Sequence, residues 1–214
     1  MVKLDEDIKK FVSGYSVENH EDEKLKANSL IQVYSKEIKL LHSIGILFAK
    51  NKKFEDAINI FDKILTLEPN STIALINKGI AYFESNKLDS ALENLKSVYH
   101  LQPNDLEVNY NLGNVQEALG NYHEAITFYQ KVIEINFHYI KAHNNLGNVF
   151  QKLGDFQKAI TCYQSAIKID FNYINAHNNL GNVLQANKKY QKAITCYQSA
   201  IKINPNYIDA HNNL

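Results

Sequence analysis

The stretch IKAHNNLGNVFQKLGDFQKAITCYQSAIKIDFNY, residues 140–173, decides the fold. Its apolar and small residues recur at helical spacing twice, once up to Leu153 and again from Phe156 onward. Gly154-Asp155 separates the two sets. Glycine suits the left-handed residue that ends a helix, and aspartate suits the cap that begins the next one. The stretch therefore predicts a helix, a tight turn and a second helix.

The same pattern recurs along the chain with a period of 34 residues. Glycine stands at Gly45, Gly79, Gly113, Gly147 and Gly181, followed twelve residues later by Ala57, Ala91, Ala125, Ala159 and Ala193. Four residues after each alanine comes a large side chain, at Phe61, Leu95, Tyr129, Tyr163 and Tyr197. A fixed period of this length is typical of stacked helical repeats.

This period divides the chain into five repeats, 38–71, 72–105, 106–139, 140–173 and 174–207, and a truncated sixth repeat, 208–214. The predicted first helices are 38–51, 72–85, 106–119, 140–153 and 174–187. The predicted second helices are 54–68, 88–101, 122–135, 156–169 and 190–203. Because glycine inside a helix is about 1 kcal/mol less favourable than alanine, we expect each repeated glycine to allow a close helix crossing, with the repeated alanine against it.

These residues resemble the tetratricopeptide repeat family. That family places Leu-Gly at repeat positions 7–8, large residues at 11, 17 and 24, alanine at 20 and 27, and proline at 32. In residues 140–173 the corresponding residues include Leu146-Gly147, Ala159 and Tyr163, whereas position 32 holds Phe171. The resemblance implies an all-α solenoid, a right-handed superhelix of helix-turn-helix units whose first helices line a concave groove for a protein or peptide ligand.

Both ends of the chain depart from this register. Residues 1–37 are interpreted as degenerate N-terminal capping helices, Asp5–Tyr15 and Glu21–Ser35, since terminal repeats are commonly atypical. At the other end the sixth repeat stops within its first helix. We therefore expect Ile194, Tyr197 and Ile201 to be partly uncovered, and we expect self-association through this uncapped end.

Composition argues against several classes of function. The chain has 23 basic and 23 acidic residues, and every basic residue is lysine. A nucleic-acid partner is therefore not expected, because such proteins carry a basic footprint. No apolar run approaches a membrane span or a signal peptide, so a cytoplasmic protein without membrane contact is predicted. Cys162 and Cys196 occupy one repeat position twice and are expected to be free thiols.

No motif for catalysis, cofactor binding or metal binding stands out in the sequence. There is no Gly-rich phosphate loop, no HExxH and no CxxC, so we predict that the chain is not an enzyme and has no cofactor. His143, His177 and His211 form a row at repeat position 4. Ligands of one metal ion must converge on it, and residues a full repeat apart should not, so we assign these histidines to packing.

Asparagine dominates the positions that face the groove in the family. The candidate peptide-binding residues are Asn77, Asn111, Asn114, Asn145, Asn148, Asn179, Asn182 and Asn213, with Lys141 and Tyr110. An asparagine amide donates and accepts at once, so it can pair with a peptide backbone. The arrangement is similar to the asparagine ladder in the repeat domain of O-linked N-acetylglucosamine transferases. The alternative is that these asparagines only bond within the helix stack.

Two functions of different class follow. The first is a non-catalytic scaffold that binds an extended peptide or a partner protein in the groove. The second is the substrate-recruiting region of a larger enzyme, such as an O-linked glycosyltransferase, whose catalytic domain lies outside this chain. A carboxylate clamp of the co-chaperone type is excluded because its basic residues are missing at the matching positions, where Asn114, Asn145 and Asn179 stand.

Overall fold

The structure, a computed structural model, describes residues 2–214 apart from the side chain of Val2. Within these residues it consists of helices joined by turns, with no strand. The helices are α1 Val2–Gly14, α2 His20–Val33, α3 Ile38–Lys50, α4 Phe54–Leu67, α5 Thr72–Glu84, α6 Leu88–Leu101, α7 Leu106–Ala118, α8 Tyr122–Ile135, α9 Ile140–Lys152, α10 Phe156–Ile169, α11 Ile174–Ala186, α12 Tyr190–Ile203 and α13 Ile208–Asn213. The predicted all-α helical-repeat fold is confirmed.

The helix boundaries agree closely with the repeat register. Every predicted first and second helix begins at the expected residue, and the first helices end one residue earlier than expected. The two N-terminal helices are also present, although α1 begins at Val2 and α2 ends at Val33. Among the described residues, no helix combines the length and the apolar character that a membrane crossing needs. The right-handed superhelix stays a prediction.

The chain forms two compact bodies. The N-terminal body ends at Gln102 and the C-terminal body begins at Pro103. In the C-terminal body each first helix packs on the second helix of its own repeat, α7 on α8, α9 on α10 and α11 on α12. The first helices α7, α9, α11 and α13 also contact one another in sequence, so their side chains form one continuous face.

A buried histidine, His20, joins the N-terminal helices to the first repeat through hydrogen bonds. His20 is buried at the start of α2, with Tyr15 Oη 2.6 Å from its Nδ1 and Asp56 Oδ2 of α4 2.8 Å from its Nε2. Lys24 pairs with the other oxygen of Asp56 at 2.6 Å. Burial alone would raise the pKa of Asp56, but the hydrogen bonds from Lys24 and His20 lower it below the usual value. Asp56 is thus held as a carboxylate that joins α2 to α4.

The repeated glycines make room for the large side chain at position 24, which is an aromatic ring in four repeats and Leu95 against Gly79 in the other. A Cβ atom added to Gly147 would lie 2.6 Å from Tyr163 Cε1, and one added to Gly113 would lie 2.6 Å from Tyr129 Cε1. Gly45 meets Phe61 in the same way. The repeated alanine, expected to lie against the glycine, is not the closest group in any repeat, and only Ala91 is among the nearest atoms, through its carbonyl oxygen at 3.5 Å from a Cβ at Gly79. The close approach is between the first helix and the large side chain at position 24 of the second.

Gly147→Ala should lower the free energy of unfolding by about 1–3 kcal/mol because of overpacking. The Tyr163 ring is fully buried, so it has no free space into which to move. Urea unfolding followed by circular dichroism measures the change. Gly14→Ala is the control, since nothing lies within 4 Å of a Cβ at that helical glycine. Equal stability of the two variants would contradict the ring contact.

The turn inside each repeat uses the left-handed backbone conformation. Gly120 and Gly154 have φ angles of +80° and +78° there. Asp155 then begins α10 by accepting a hydrogen bond from the Lys158 amide at 3.1 Å, as expected from Gly154-Asp155. The other repeats place Lys52, Asn86 and Lys188 at the same position, with φ between 56° and 61°. A side chain with a Cβ is strained in this region by about 1–2 kcal/mol.

Lys188→Gly should therefore raise the free energy of unfolding by about 1 kcal/mol, because glycine adopts this conformation without a steric penalty. The matched reverse change is Gly154→Lys, which introduces the same strain into the preceding repeat and should lower stability by a similar amount. Both are measured by urea unfolding. A loss of stability in Lys188→Gly would show that this backbone strain is not significant.

The polar residues at repeat position 4 bind the turn that precedes them. His143 Nε2 lies 2.8 Å from the Phe137 carbonyl oxygen, and His177 Nε2 lies 2.9 Å from that of Phe171. Each histidine ring also meets the phenyl ring edge-on at 5.2 Å. Packing is thus confirmed for His143 and His177, which are buried. His211 is exposed instead and keeps only the carbonyl contact, to Pro205.

The last complete second helix is better covered than expected. Tyr197 is only 1% exposed, so its predicted exposure is wrong, whereas Ile194 and Ile201 are half-buried. The ring of Tyr197 lies against Gly181 of its own repeat. Its burial therefore comes largely from the hairpin to which it belongs.

Candidate functional site

Six asparagines share the first-helix side of the C-terminal body, and we call their surface the asparagine face. Asn145 and Asn148 lie on α9 and Asn179 and Asn182 on α11, each pair three residues apart and therefore on one helix face. Asn114 on α7 and Asn213 on α13 complete the set. All six are half-buried, which leaves each of them in contact with both protein and solvent.

Buried tyrosines donate hydrogen bonds to the asparagines at repeat position 9, which are Asn114, Asn148 and Asn182. Tyr163 Oη lies 2.8 Å from Asn148 Oδ1 and 2.9 Å from Gln151 Oε1, so its proton is shared between them. Tyr129 is bonded equivalently to Asn114 and Glu117, and Tyr197 to Asn182 and Gln185. Burial raises the pKa of the Tyr163 hydroxyl. The hydroxyl therefore stays protonated and donates.

The asparagines at repeat position 6, which are Asn145, Asn179 and Asn213, link each first helix to the preceding first helix. Asn179 Nδ2 donates to Asn148 Oδ1 and to Asn144 Oδ1, both at 3.1 Å. Asn213 Nδ2 donates to Asn182 Oδ1 at 3.1 Å and to Asn178 Oδ1 at 3.2 Å. An amide nitrogen has two protons, so these bonds use both of them.

The first link of this series uses a tyrosine in place of an asparagine. Asn145 Nδ2 donates to Asn114 Oδ1 at 3.1 Å and to Tyr110 Oη at 3.2 Å. The Tyr110 ring is half-buried and lies 5.0 Å from that of Tyr139. Tyr110, at repeat position 5, therefore substitutes for the buried Asn144 and Asn178 of later repeats.

The network leaves a defined set of amide groups open. Asn148 and Asn182 use their oxygens twice, but no hydrogen bond of the described residues uses their Nδ2 donors. Asn179 and Asn213 use their nitrogens, and their Oδ1 acceptors have no partner within the described residues. None of these atoms is a buried unsatisfied group, so water reaches them. The Asn179–Asn148 and Asn213–Asn182 links thus each expose one donor and one acceptor, whereas in the first link Asn145 Oδ1 accepts from Asn144 Nδ2 at 3.4 Å.

The remaining candidate residues lie outside this network. Asn111 is half-buried on α7, and Lys141 is exposed at the start of α9. Asn77 lies on α5 of the N-terminal body, so it is described separately from the asparagine face. The residues that the sequence did not single out are Asn144 and Asn178, the tyrosine hydroxyls and Gln151 and Gln185.

A signal for the missed hydroxyls was present in the repeats. In the first two repeats position 9 is isoleucine, at Ile46 and Ile80, and position 24 is Phe61 or Leu95. In every repeat whose position 24 is tyrosine, position 9 is asparagine. The two positions change together between repeats. This joint change is explained if the tyrosine hydroxyl at position 24 needs the asparagine oxygen at position 9 as a hydrogen-bond acceptor.

Charge on the asparagine face is confined to one edge. Lys152 of α9 pairs with Glu117 of α7 at 2.9 Å, and Glu117 also accepts from Tyr129. The other network members are uncharged amides and hydroxyls. Across residues 2–214 no group of three or more His, Cys, Asp and Glu side chains is arranged to hold a metal ion. Burial raises the pKa of the Cys162 thiol to about 11, and both cysteines are free.

Family models for the tetratricopeptide repeat match residues 104–170 and 174–207. A model for subunit 3 of the anaphase-promoting complex, or cyclosome, matches residues 50–132. No curated protein sequence matches the chain significantly. Residues 104–170 and 174–207 therefore belong to the tetratricopeptide repeat family, in agreement with the repeat register and the stacked helical hairpins of the chain.

Solved structures share this fold. A crystal structure of MamA is 26% identical, with a TM-score of 0.69, over 76% of this chain and 95% of that one. MamA 41-end from Desulfovibrio magneticus RS-1 has a TM-score of 0.72 at 20% identity, over 79% and 96%. YrrB, described as a TPR protein with an unusual peptide-binding site, has a TM-score of 0.66 at 19% identity, over 87% and 96%. At such identities the latter two show the fold alone.

Tyr163→Phe should lower the free energy of unfolding by about 1–2 kcal/mol, because the half-buried side-chain oxygens of Asn148 and Gln151 lose the donor that they share. Tyr190→Phe is the matched control: its side chain is 60% exposed, so removal of its hydroxyl should have little effect. Thermal and urea unfolding measure both. An unperturbed Tyr163→Phe variant would mean that the hydroxyl contributes no net stability to the network.

Proposed function

We propose that this chain is a non-catalytic scaffold whose asparagine face holds an extended segment of a partner protein. The observation that carries the proposal is the repeated pair of open amide groups, one Nδ2 donor and one Oδ1 acceptor in the link between α9 and α11 and again in the link between α11 and α13. An extended segment has free backbone N–H and C=O groups that need such partners. The face therefore matches a peptide backbone in hydrogen-bonding chemistry.

Two asparagines share the recognition in this proposal. Asn148 Nδ2 is free to donate to a ligand carbonyl, and Asn179 Oδ1 is free to accept from a ligand N–H. The two side chains are already joined, since Asn179 Nδ2 lies 3.1 Å from Asn148 Oδ1. The bond holds both amides in place before a ligand arrives, which reduces the entropy lost on binding. The internal network and the ligand contacts are thus compatible, because they use different atoms.

Family and composition support a protein partner. Members of the tetratricopeptide repeat family bind proteins or peptides, and YrrB is described as having a peptide-binding site. Zero net charge and the lack of arginine favour such a partner over nucleic acid. Two free cysteines fit a reducing compartment, so we place the protein in the cytoplasm. Self-association through the C-terminal end is retained as part of the proposal.

The experiment is a double substitution that removes only the open donors. Asn148→Asp with Asn182→Asp keeps the Oδ1 acceptors that Tyr163, Tyr197, Asn179 and Asn213 need, but deletes both free NH₂ groups. Peptides of twelve residues are selected from a phage-displayed library on the unchanged protein, and their affinity is measured by calorimetry. We expect the double variant to bind at least about fivefold more weakly, since each of the two lost bonds contributes about 0.5–1.5 kcal/mol.

The matched control is Asn172→Asp with Asn206→Asp. These residues occupy equivalent exposed turns and introduce the same charge. Control and unchanged protein should bind alike, and raising the salt concentration should weaken binding only slightly because the face is nearly neutral. Equal affinity of both double variants, with unchanged melting temperatures, would refute peptide binding by the open amides.

A further inference from the structure

A row of tyrosines borders the asparagine face. Tyr139, Tyr173 and Tyr207 occupy repeat position 34, directly before α9, α11 and α13, and all three are half-buried. Tyr110 joins this row to the network, because its ring lies 5.0 Å from Tyr139 and its hydroxyl accepts from Asn145. At the far end Tyr207 donates to Asn175 Oδ1 at 3.3 Å.

The tyrosines are close enough to influence one another electrostatically. Burial, and after it the neighbouring Tyr139, raises the pKa of Tyr110, to which Tyr173 also contributes. Burial raises the pKa of Tyr207 as well, with a smaller contribution from Tyr173. The ring contact between Tyr110 and Tyr139 and the recurrence of tyrosine at repeat position 34 thus place one aromatic ring in each repeat along the face.

The interval between repeats restricts the conformation of a ligand. Consecutive first helices hydrogen-bond directly through their asparagines, so their axes lie about 8–10 Å apart. A polyproline II helix advances 3.1 Å per residue with three residues per turn, and so presents the same face about every 9 Å. A β-strand presents the same face every two residues, about 6.6 Å, which does not match the repeat.

We propose that the segment held on the asparagine face is an uncharged, proline-rich segment in the polyproline II conformation. Every third residue of this segment is a proline whose ring packs against a tyrosine of the row. This inference rests on the proposed function and specifies its partner. Proline-rich segments dock in aromatic-lined grooves because they are rigid before binding. Their backbone makes no internal hydrogen bonds, so their carbonyls are available to the Nδ2 donors of Asn148 and Asn182.

The hydrogen-bonding groups of the face agree with such a ligand. Prolines lack the backbone N–H, so a segment with one non-proline residue in three offers one N–H per repeat interval to an Oδ1 acceptor, while its carbonyls pair with the Nδ2 donors. Lys141 lies outside the network and Lys152 is already paired with Glu117, which leaves little positive charge on the face for a strongly acidic segment. Tyrosine supplies a large rigid apolar surface with a polar tip at a low cost in side-chain entropy.

The test uses two blocked twelve-residue peptides, Ac-(Pro-Pro-Ser)₄-NH₂ and Ac-(Ala-Ala-Ser)₄-NH₂, titrated calorimetrically into the full chain. We expect the proline peptide to bind at least tenfold more tightly. Tyr173→Ala should remove most of this preference, and Tyr173→Leu, which keeps apolar bulk and so guards against unfolding, should remove it too. Tyr190→Ala is the control, since that ring is 60% exposed at the start of α12 and lies outside the row.

The outcomes separate this inference from the proposed function. If the two peptides bind equally, if neither binds, or if Tyr173→Leu retains the full proline preference, the polyproline inference is overturned. The proposed function still stands in those cases if library-selected peptides lose affinity with the Asn148→Asp and Asn182→Asp pair. It fails separately if no selected peptide depends on that pair.

Discussion

The structure depends on the contact between the large side chain at repeat position 24, a ring in four of the five repeats, and the glycine at position 8. The ring of Tyr163 lies on Gly147 so closely that a methyl group would be 2.6 Å from it, and this contact sets the distance between α9 and α10. It also places the Tyr163 hydroxyl beside α9, where it donates to Asn148 and Gln151. One close approach thereby determines both the packing of a hairpin and the polar groups on its first-helix face.

From this contact the polar network extends between repeats. Asn148 Oδ1 accepts from Tyr163 of its own repeat and from Asn179 of the next. Because a buried acceptor without a donor is costly, replacing either partner affects the other, so hairpin packing and repeat stacking are coupled. The coupling also fixes which end of each amide faces its neighbour. Oxygen and nitrogen are therefore presented to solvent in a regular order rather than at random.

Much of the fold follows from the sequence because its information is local and repeated. Gly154-Asp155 defines a turn by its own backbone and capping chemistry, and the period places every other turn. The glycine contact was mistaken because sequence gives the helix pairing but not the rotamer that places the Tyr163 ring over Gly147. The asparagine positions were predictable, whereas the partner of each amide depends on a neighbouring helix from another repeat. Only the joint change at positions 9 and 24 carried that information.

That joint change also limits where the candidate site can lie. Repeats 1 and 2 pair Ile46 with Phe61 and Ile80 with Leu95, so their first helices have neither the hydroxyl nor the amide acceptor on which the network is built. Asn77 occupies position 6 there, yet position 9 of the preceding repeat, Ile46, offers no oxygen to its amide. An asparagine at position 6 is consequently held by side chains only where the previous repeat carries the Tyr–Asn pair. The ordered donors and acceptors belong to the C-terminal body. In the N-terminal body the equivalent positions 9 and 24 hold apolar side chains.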